Sequence, residues 1–335
     1  MHDISLTKNR IIFISGRFRS GTSMLWNLFN QLPQYCAWYE PLHQNLLKHI
    51  EFVKPQTDHI GINDYWGNYR SIGELEKFHL GQFGNQQLFL EKHDKWPDLA
   101  NYIKHLIKHS HNKIPVLQFN RTDLRLSWLR NNFPSATIIN IERQPYPLWI
   151  SSRKHIQTDA NKNNESFHDA YDLMQWSVEL SKHFPMLQRG NNRNSYYRHY
   201  FIWKLSKQMA QFNADIRLSL ENDFLNTQDG VATLASQLNW DKETASSIQN
   251  LIQKPQSMQI KLSKARLFTE IEDEINEIFQ ETGLEKLFPS TPLPIIKLEY
   301  HKAWSKYQPQ CEGSIQELLA ALKNQNDALT AMANS

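Results

Sequence analysis

Cysteine is nearly missing from this chain. Two residues in 335, Cys36 and Cys311, are too few for a disulfide framework or a cysteine-based zinc site. Cys36 stands in an apolar run, which predicts a buried thiol. Long hydrophobic runs are missing as well. No stretch approaches the ~18 uninterrupted apolar residues of a membrane span, and the opening "MHDISLTKNRIIFISG" lacks the apolar core of a secretory signal. A soluble, cytoplasmic protein is the expectation. Nor is one sign of charge in excess. A formal net charge of +3 excludes the bulk basic field of a general nucleic-acid binder. A local basic pocket for a small anion stays open, with Arg17, Arg19, Arg121, Arg125, Arg143 and Arg153 as its candidate walls. The chain also has no internal repeat and no low-complexity tract.

What is present suits a packed domain. Apolar residues make up 40% of the chain and aromatics 12%, enough for a substantial core. Short β-branched runs alternate with helical periods. "IIFIS" (11–15) reads as a buried parallel strand, and a helix follows from about Ser20 until Pro33 stops it. "YCAWYEP" (35–41), "IPVLQFN" (114–120), "ATIINIE" (136–142) and "IRLSLE" (216–221) are the further strand candidates. Between them fall helices such as "DLRLSWLRNNFP" and a segment from about 147 to 155. Strand, loop and helix in repetition predict an α/β fold with a parallel sheet flanked by helices. One domain, 1–335, is expected. Residues from about 45 to 111 would form an inserted substrate-binding cap of loops and short helices, and 288–335 a C-terminal wrap and helix.

The chemistry concentrates in "ISGRFRSGTSMLWNLFN" (14–30). Gly16 and Gly21 keep the glycine spacing of a phosphate-binding loop, but Thr22 and Ser23 follow where the nucleotide-triphosphate version has lysine. A strand, a glycine-bracketed turn and a helix start make an anion cradle from backbone N–H groups and the helix dipole. Ser20, Thr22 and Ser23 add hydroxyls, and Arg19 adds a fork for two parallel bonds. A kinase would need the lysine and an acid to hold magnesium. The strand at 136–142 ends in Glu142–Arg143 with no aspartate, and an arginine there suits a second phosphate better than a metal.

The run "RSGTSMLWNLFNQLPQYCAWYEPLHQ" resembles the 5′-phosphosulfate loop of the sulfotransferases, whose donor is 3′-phosphoadenosine 5′-phosphosulfate (PAPS). Its continuation is most similar to the carbohydrate 6-O-sulfotransferases, which share the F-N-Q-x-P and Y-E-P runs. "IERQPYPLWISSR" (141–153) resembles the family's 3′-phosphate motif: Arg143 ends a strand, and Ser151 lies eight positions on in the next helix. "SLENDFLNTQDG" is a weaker echo of the family's Y-E-D-L segment. The resemblance implies a P-loop-like fold, PAPS as co-substrate without a metal, and a carbohydrate hydroxyl as acceptor. Arg17, Arg19, Ser20, Gly21, Thr22, Ser23, Arg143 and Ser151 would bind the donor.

Two departures stand out. The cytosolic members carry a catalytic histidine at the end of the third strand, where this chain has Asn120 and Arg121. The second motif reads Arg-Gln-Pro-Tyr in place of Arg-Asp-Pro-Arg, which leaves the acceptor class open. The base is therefore expected to be Glu40, which ends the second strand and faces the crevice where α/β folds bind ligands. The alternative for Glu40 is a structural partner of an arginine. His43 is a second base or a substrate contact. Arg19 clamps the transferring group, and Arg17 either assists or faces solvent. Arg121 is expected at the site and Arg125 on an exposed helix face. Trp38, Trp66, Trp96 and Trp176 either stack on sugars or fill the core. Lys264 and Arg266 either cover the adenosine or decorate a helix. The rival functions are a sulfotransferase for a lipid, phenol or other small acceptor, a P-loop small-molecule kinase, and a silent nucleotide-binding scaffold. The oligomeric state is not legible.

Overall fold

The computed structural model describes residues 10–52, 62, 64–153, 170–187, 194–227, 229–252 and 266–284. The expected C-terminal wrap, the polar loop at 158–165, Cys311 and Lys264 lie outside them. The described residues fall into two compact units, one formed within 1–148 and 205–263, the other within 149–204 and 264–335.

The first unit is built on a five-stranded sheet. Strand β1 (Ile11–Ser15) leads into helix α1 (Thr22–Asn30), then β2 (Tyr35–Tyr39). The insertion follows with α2 (Leu46–Phe52), α3 (Leu75–Phe78) and α4 (Pro97–Lys108). Next come β3 (Ile114–Phe119), α5 (Leu126–Asn132), β4 (Ala136–Glu142) and α6, which opens at Pro145. All strand pairs are parallel, in the order β2-β3-β1-β4-β5, with β5 at Ile216–Ser219. Every strand therefore ends at the same edge. Between β1 and β4 the outgoing connections run to opposite sides of the sheet, which is where open α/β sheets take their ligands.

Both faces of the sheet are covered, as an all-parallel sheet requires. Side chains alternate across β1: Phe13 joins one apolar cluster, Ile12 and Ile14 the other. The cluster around Phe13 takes in Leu117, Phe119 and Ile138, and it is completed by Leu46, Trp66, Tyr69, Phe83, Trp96, Leu99 and Ile103 of the insertion. The insertion thus supplies one wall of the core. It includes a twelve-residue helix, α4, started by Pro97 in its first turn. The opposite cluster packs Leu25, Trp26 and Phe29 of α1 with Val231 and Leu234 of α9 (Asp229–Leu238) and Ile248 of α10 (Lys242–Gln249).

The second unit contains the end of α6 (to Arg153), α7 (Leu173–Leu180), the first part of α8 (Ser195–Asn213) and α11 (Arg266–Glu281). Aromatic rings hold it together: Phe201 packs edge-on to Phe279 and Tyr196 to Phe268, and Tyr196 also hydrogen-bonds Glu272.

Three expectations change. Helix α1 begins at Thr22, not Ser20, because Arg19 (φ 69°) and Gly21 (φ 103°) both adopt left-handed backbone and hold the turn open until then. Cys36 is only half-buried. Arg125 is not on an exposed helix face. It is fully buried and donates to the carbonyls of Phe83 (2.8 Å), Gln86 (2.6 Å) and Gln87 (2.9 Å), with its guanidinium 5.2 Å from the Trp96 ring. It pins the insertion to the α/β layer. The four tryptophans are all buried, so the core accounts for them.

Candidate active site

The turn after β1 is held tightly. An alanine Cβ at Gly16 would lie 2.5 Å from the Ile141 carbonyl oxygen and 2.6 Å from Ser20 Oγ, so only glycine fits between β4 and the loop. Gly21 presses against Leu220 and Ile141. The hydroxyls of the loop are used unequally. Thr22 donates to Asn120 Oδ1 at 2.7 Å, so its hydrogen is not directed at an anion, contrary to expectation. Ser23 shares a hydrogen bond with the Tyr39 hydroxyl at 2.9 Å. Ser20 Oγ is fully buried and has no hydrogen-bond partner. A buried polar atom in that state calls for one.

Two arginines of the loop separate in role. Arg17 is buried and pairs with the equally buried Asp123 at 3.0 Å, so it is not solvent-exposed. Its own carbonyl accepts from Ser20 N–H, closing the turn. Arg19 is half-buried, and its carbonyl accepts a hydrogen bond from Arg143 Nη1 at 3.1 Å. The two sequence motifs, 124 residues apart, therefore meet beyond the carboxyl ends of β1 and β4. Arg143 also faces Glu221, with Nε to Oε1 at 3.5 Å, while Glu221 Oε2 accepts from the Gln144 N–H. Burial pushes the Arg143 guanidinium below its ordinary value; Glu221 opposes this, and the charge of Arg19 adds to it. Two neighbouring cations under desolvation are best relieved by a bound anion. Ser151 lies in α6, in the second unit and half-buried.

The far side of the loop carries a hydrogen-bonded network. Glu40 itself takes left-handed backbone (φ 38°) just after β2. Its Oε1 accepts from Asn120 Nδ2 at 2.6 Å, and its Oε2 from Arg121 Nη1 at 2.9 Å. Gln118 donates to Asn120 Oδ1 at 3.1 Å, and the Glu40 N–H donates to Gln118 Oε1 at 3.2 Å. The Arg121 guanidinium lies 4.8 Å from the centre of the Phe18 ring, while its buried Nε has no partner. Each Glu40 oxygen keeps a further lone-pair site.

Around Glu40 stand three histidines. His43 Nδ1 accepts from the Asn45 N–H at 3.1 Å, which leaves Nε2–H as a donor. Burial, followed by the charge of Arg121, pushes His43 down to about 3, so its ring is neutral at ordinary pH. His79 bonds the His43 carbonyl through Nε2 and is pushed down to about 4 by burial. The His49 ring packs tilted against His43 at 4.3 Å and edge-on to Trp66 at 5.3 Å. Burial lowers it while Glu40 opposes the shift. The sequence did not point to Asp123, Gln118, His49 or Glu221 as site residues. The partners of Arg17 and Arg143 are distant in the chain and carry no local motif. Arg266 is exposed and pairs with Glu270 on its own helix.

Among the described residues, no group of three or more histidine, cysteine, aspartate or glutamate side chains is arranged to hold a metal ion. No helix among them is long and apolar enough to cross a membrane.

A five-stranded parallel sheet flanked by helices, with a lysine-free, glycine-bracketed turn after its central strand and a strand-end arginine bonded to that turn, defines an α/β fold. The chain belongs to the sulfotransferase family, whose profile matches residues 11–198. Among solved structures it is similar to the sulfotransferase domain of the Synechococcus PCC 7002 olefin synthase, at 13% identity and TM-score 0.37, covering 89% of this chain and 94% of that one. A sulfotransferase domain from the curacin biosynthetic pathway gives 13% identity and TM-score 0.37 over 79% and 97%. A sulfotransferase from Mycobacterium avium gives 11% and 0.40 over 91% and 78%. No curated protein sequence matches the chain.

Proposed function

We propose that this sulfotransferase uses PAPS as donor and a carbohydrate hydroxyl as acceptor, releasing adenosine 3′,5′-bisphosphate. The observation that carries the donor assignment is the Arg143–Arg19 hydrogen bond, which joins the two expected phosphate-binding elements at one crevice. The residues fit a ligand with an anionic group at each end: the Gly16 cradle admits no side chain, Ser20 Oγ lacks a partner, and Arg19 and Arg143 concentrate positive charge. Arg19, Ser20 and the turn around Gly21 take the 5′ end. Arg143 takes the 3′-phosphate. Ser151 is assigned to the same phosphate from its spacing in the sequence alone. Thr22 and Ser23 shape the loop through Asn120 and Tyr39. Arg17, locked to Asp123, fixes the turn from below.

When bound, the donor supplies an activated sulfuryl group, whose bond to the leaving phosphate breaks as one to the acceptor oxygen forms. The protein's tasks are positioning, charge stabilisation and removal of one proton. Glu40 takes the proton. It is an ionisable carboxylate with a fixed orientation and spare lone pairs. His43 is assigned a donor role to the acceptor and not the base's, because Nδ1 accepts from the Asn45 N–H and Nε2 then bears the hydrogen.

The carbohydrate acceptor rests on the F-N-Q-x-P and Y-E-P resemblance. A second reading, a lipid or phenolic acceptor, is favoured by Leu47, Phe52 and Leu80, which stand exposed on the insertion. Radiolabelled PAPS with a panel of oligosaccharide, lipid and phenol acceptors tests both. Transfer to sugars is the expected result, and transfer confined to the apolar acceptors would replace it. Glu40→Gln is expected to keep bisphosphate binding and lose turnover; an active variant removes Glu40 from the mechanism.

A further inference from the structure

Just after β3 the chain carries an asparagine, Asn120, with each of its side-chain polar atoms hydrogen-bonded. Thr22 Oγ1 and Gln118 Nε2 both bond Asn120 Oδ1, at 2.7 and 3.1 Å. The Gln118 amide nitrogen can only donate, since Gln118 Oε1 is occupied by the Glu40 N–H. Asn120 Oδ1 is therefore the acceptor and Nδ2 the donor, and Nδ2 lies 2.6 Å from Glu40 Oε1. The chain of bonds runs from the first residue of α1, in the anion loop, through Asn120 to the carboxylate. All three side chains come from different elements: α1, the end of β3 and the end of β2.

We propose that Asn120 is a positioning residue that couples the donor loop to the base Glu40. This rests on the assignment of Glu40 as base given above. Asn120 holds one carboxylate oxygen while Arg121 holds the other, so the plane of the carboxylate is fixed from both sides. A shift of the loop at Thr22 is passed through the Asn120 amide to the oxygen of Glu40 that the amide holds. Proton abstraction is thereby tied to a correctly seated loop. An asparagine serves here where a histidine would not. It accepts two hydrogen bonds at one atom and donates at the other without a charge of its own.

The test is an exchange of the two side chains. Asn120→Asp sets a second carboxylate within hydrogen-bond distance of Glu40 and is expected to lower both Tm and kcat, the latter by at least about tenfold out of the ~10²–10⁴ that a positioned base contributes. KM for PAPS should change by less than about threefold, since the loop's anion contacts remain. Combining Asn120→Asp with Glu40→Gln restores an amide–carboxylate bond with the roles reversed. The double variant is expected to recover Tm and not kcat. Thr22→Val should lose kcat with Asn120 intact, and Thr22→Ser, which keeps the hydroxyl donor, should recover part of that loss. Turnover is read with radiolabelled PAPS and whichever acceptor of the panel above is sulfated, and Tm needs no acceptor. No effect of Asn120→Asp on kcat or on Tm overturns the coupling, whereas recovery of kcat in the exchanged variant, which lacks the Glu40 carboxylate, overturns the base assignment. An active Glu40→Gln single variant overturns the base assignment itself, which separates the two failures.

Discussion

Replacing Gly16 with alanine puts one methyl group where the fold has no room for it. The new carbon would stand 2.5 Å from the Ile141 carbonyl oxygen, 2.6 Å from Ser20 Oγ and 2.9 Å from Thr22 Cγ2. That is roughly 1 Å inside ordinary contact. Ile141 is paired with Leu218 of β5 within the sheet, so its carbonyl yields little. The loop must move instead, carrying Ser20 and Thr22 with it. Overpacking of this kind costs about 1–3 kcal/mol, offset by about 0.4–1 kcal/mol from the stiffer unfolded chain. The net loss of about 1–2 kcal/mol corresponds to a fall in Tm of roughly 2–8 °C. The functional loss is larger, because a ~1 Å shift of positioning groups can cost about a hundredfold. Scanning calorimetry and bisphosphate titration read the two effects separately. Gly73→Ala is the control: nothing lies within 4 Å of its would-be Cβ, and Tm should hold or rise slightly. A Gly16→Ala protein with unchanged Tm and unchanged bisphosphate affinity would refute the tight-cradle account.

Arg125→Ala strands three carbonyls of the insertion and should cost about 3 kcal/mol or more, seen as a fall in Tm of roughly 6–12 °C; Arg125→Lys should not restore it, because an ammonium cannot span all three. Arg143→Ala is expected to weaken bisphosphate binding by about 10–100-fold in calorimetric titration, and Arg143→Lys to recover little, since the Arg19 carbonyl and a phosphate together need the guanidinium fork. Stability should depend on pH through His43 and His79. Both are held neutral in the fold, at about 3 and about 4, and titrate near 6.5 when unfolded. Protons therefore favour the unfolded chain. Stability from these groups is complete above pH ~6.5 and drains away as pH falls towards their folded values, by up to about 1.4 kcal/mol per pH unit for each. His79→Gln should flatten that slope in denaturant titrations between pH 4 and 6.5, and an unchanged slope would contradict the assignment.

The sheet was legible because its strands are β-branched runs buried on both faces. "ATIINIE" maps onto β4 residue for residue, and "IIFIS" onto β1. Boundaries failed where backbone geometry, not side-chain pattern, sets them: the left-handed Arg19 and Gly21 delay α1 by two residues. Arg125 was misread because a lone arginine beside a helix gives no sign that three carbonyls from forty residues earlier converge on it. The same applies at the site. The glycine spacing and the strand-end arginine pointed to Arg19 and Arg143, whereas Asp123 under Arg17, Glu221 beside Arg143 and the Asn120–Glu40 contact join residues 106, 78 and 80 positions apart, separations no local motif encodes. Thr22 was expected to serve an anion and instead serves Asn120, a choice made by the register that sets α1 against the end of β3.

The most direct measurement compares the shift in Tm on adding adenosine 3′,5′-bisphosphate with that on adding ATP and magnesium. At a hundredfold excess over Kd, a ligand of the folded state adds about 2.7 kcal/mol, or roughly 5–10 °C. The bisphosphate is expected to give a rise of that order and ATP with magnesium a much smaller one. A larger rise with ATP and magnesium would contradict the assignment of the crevice to an activated-sulfate donor.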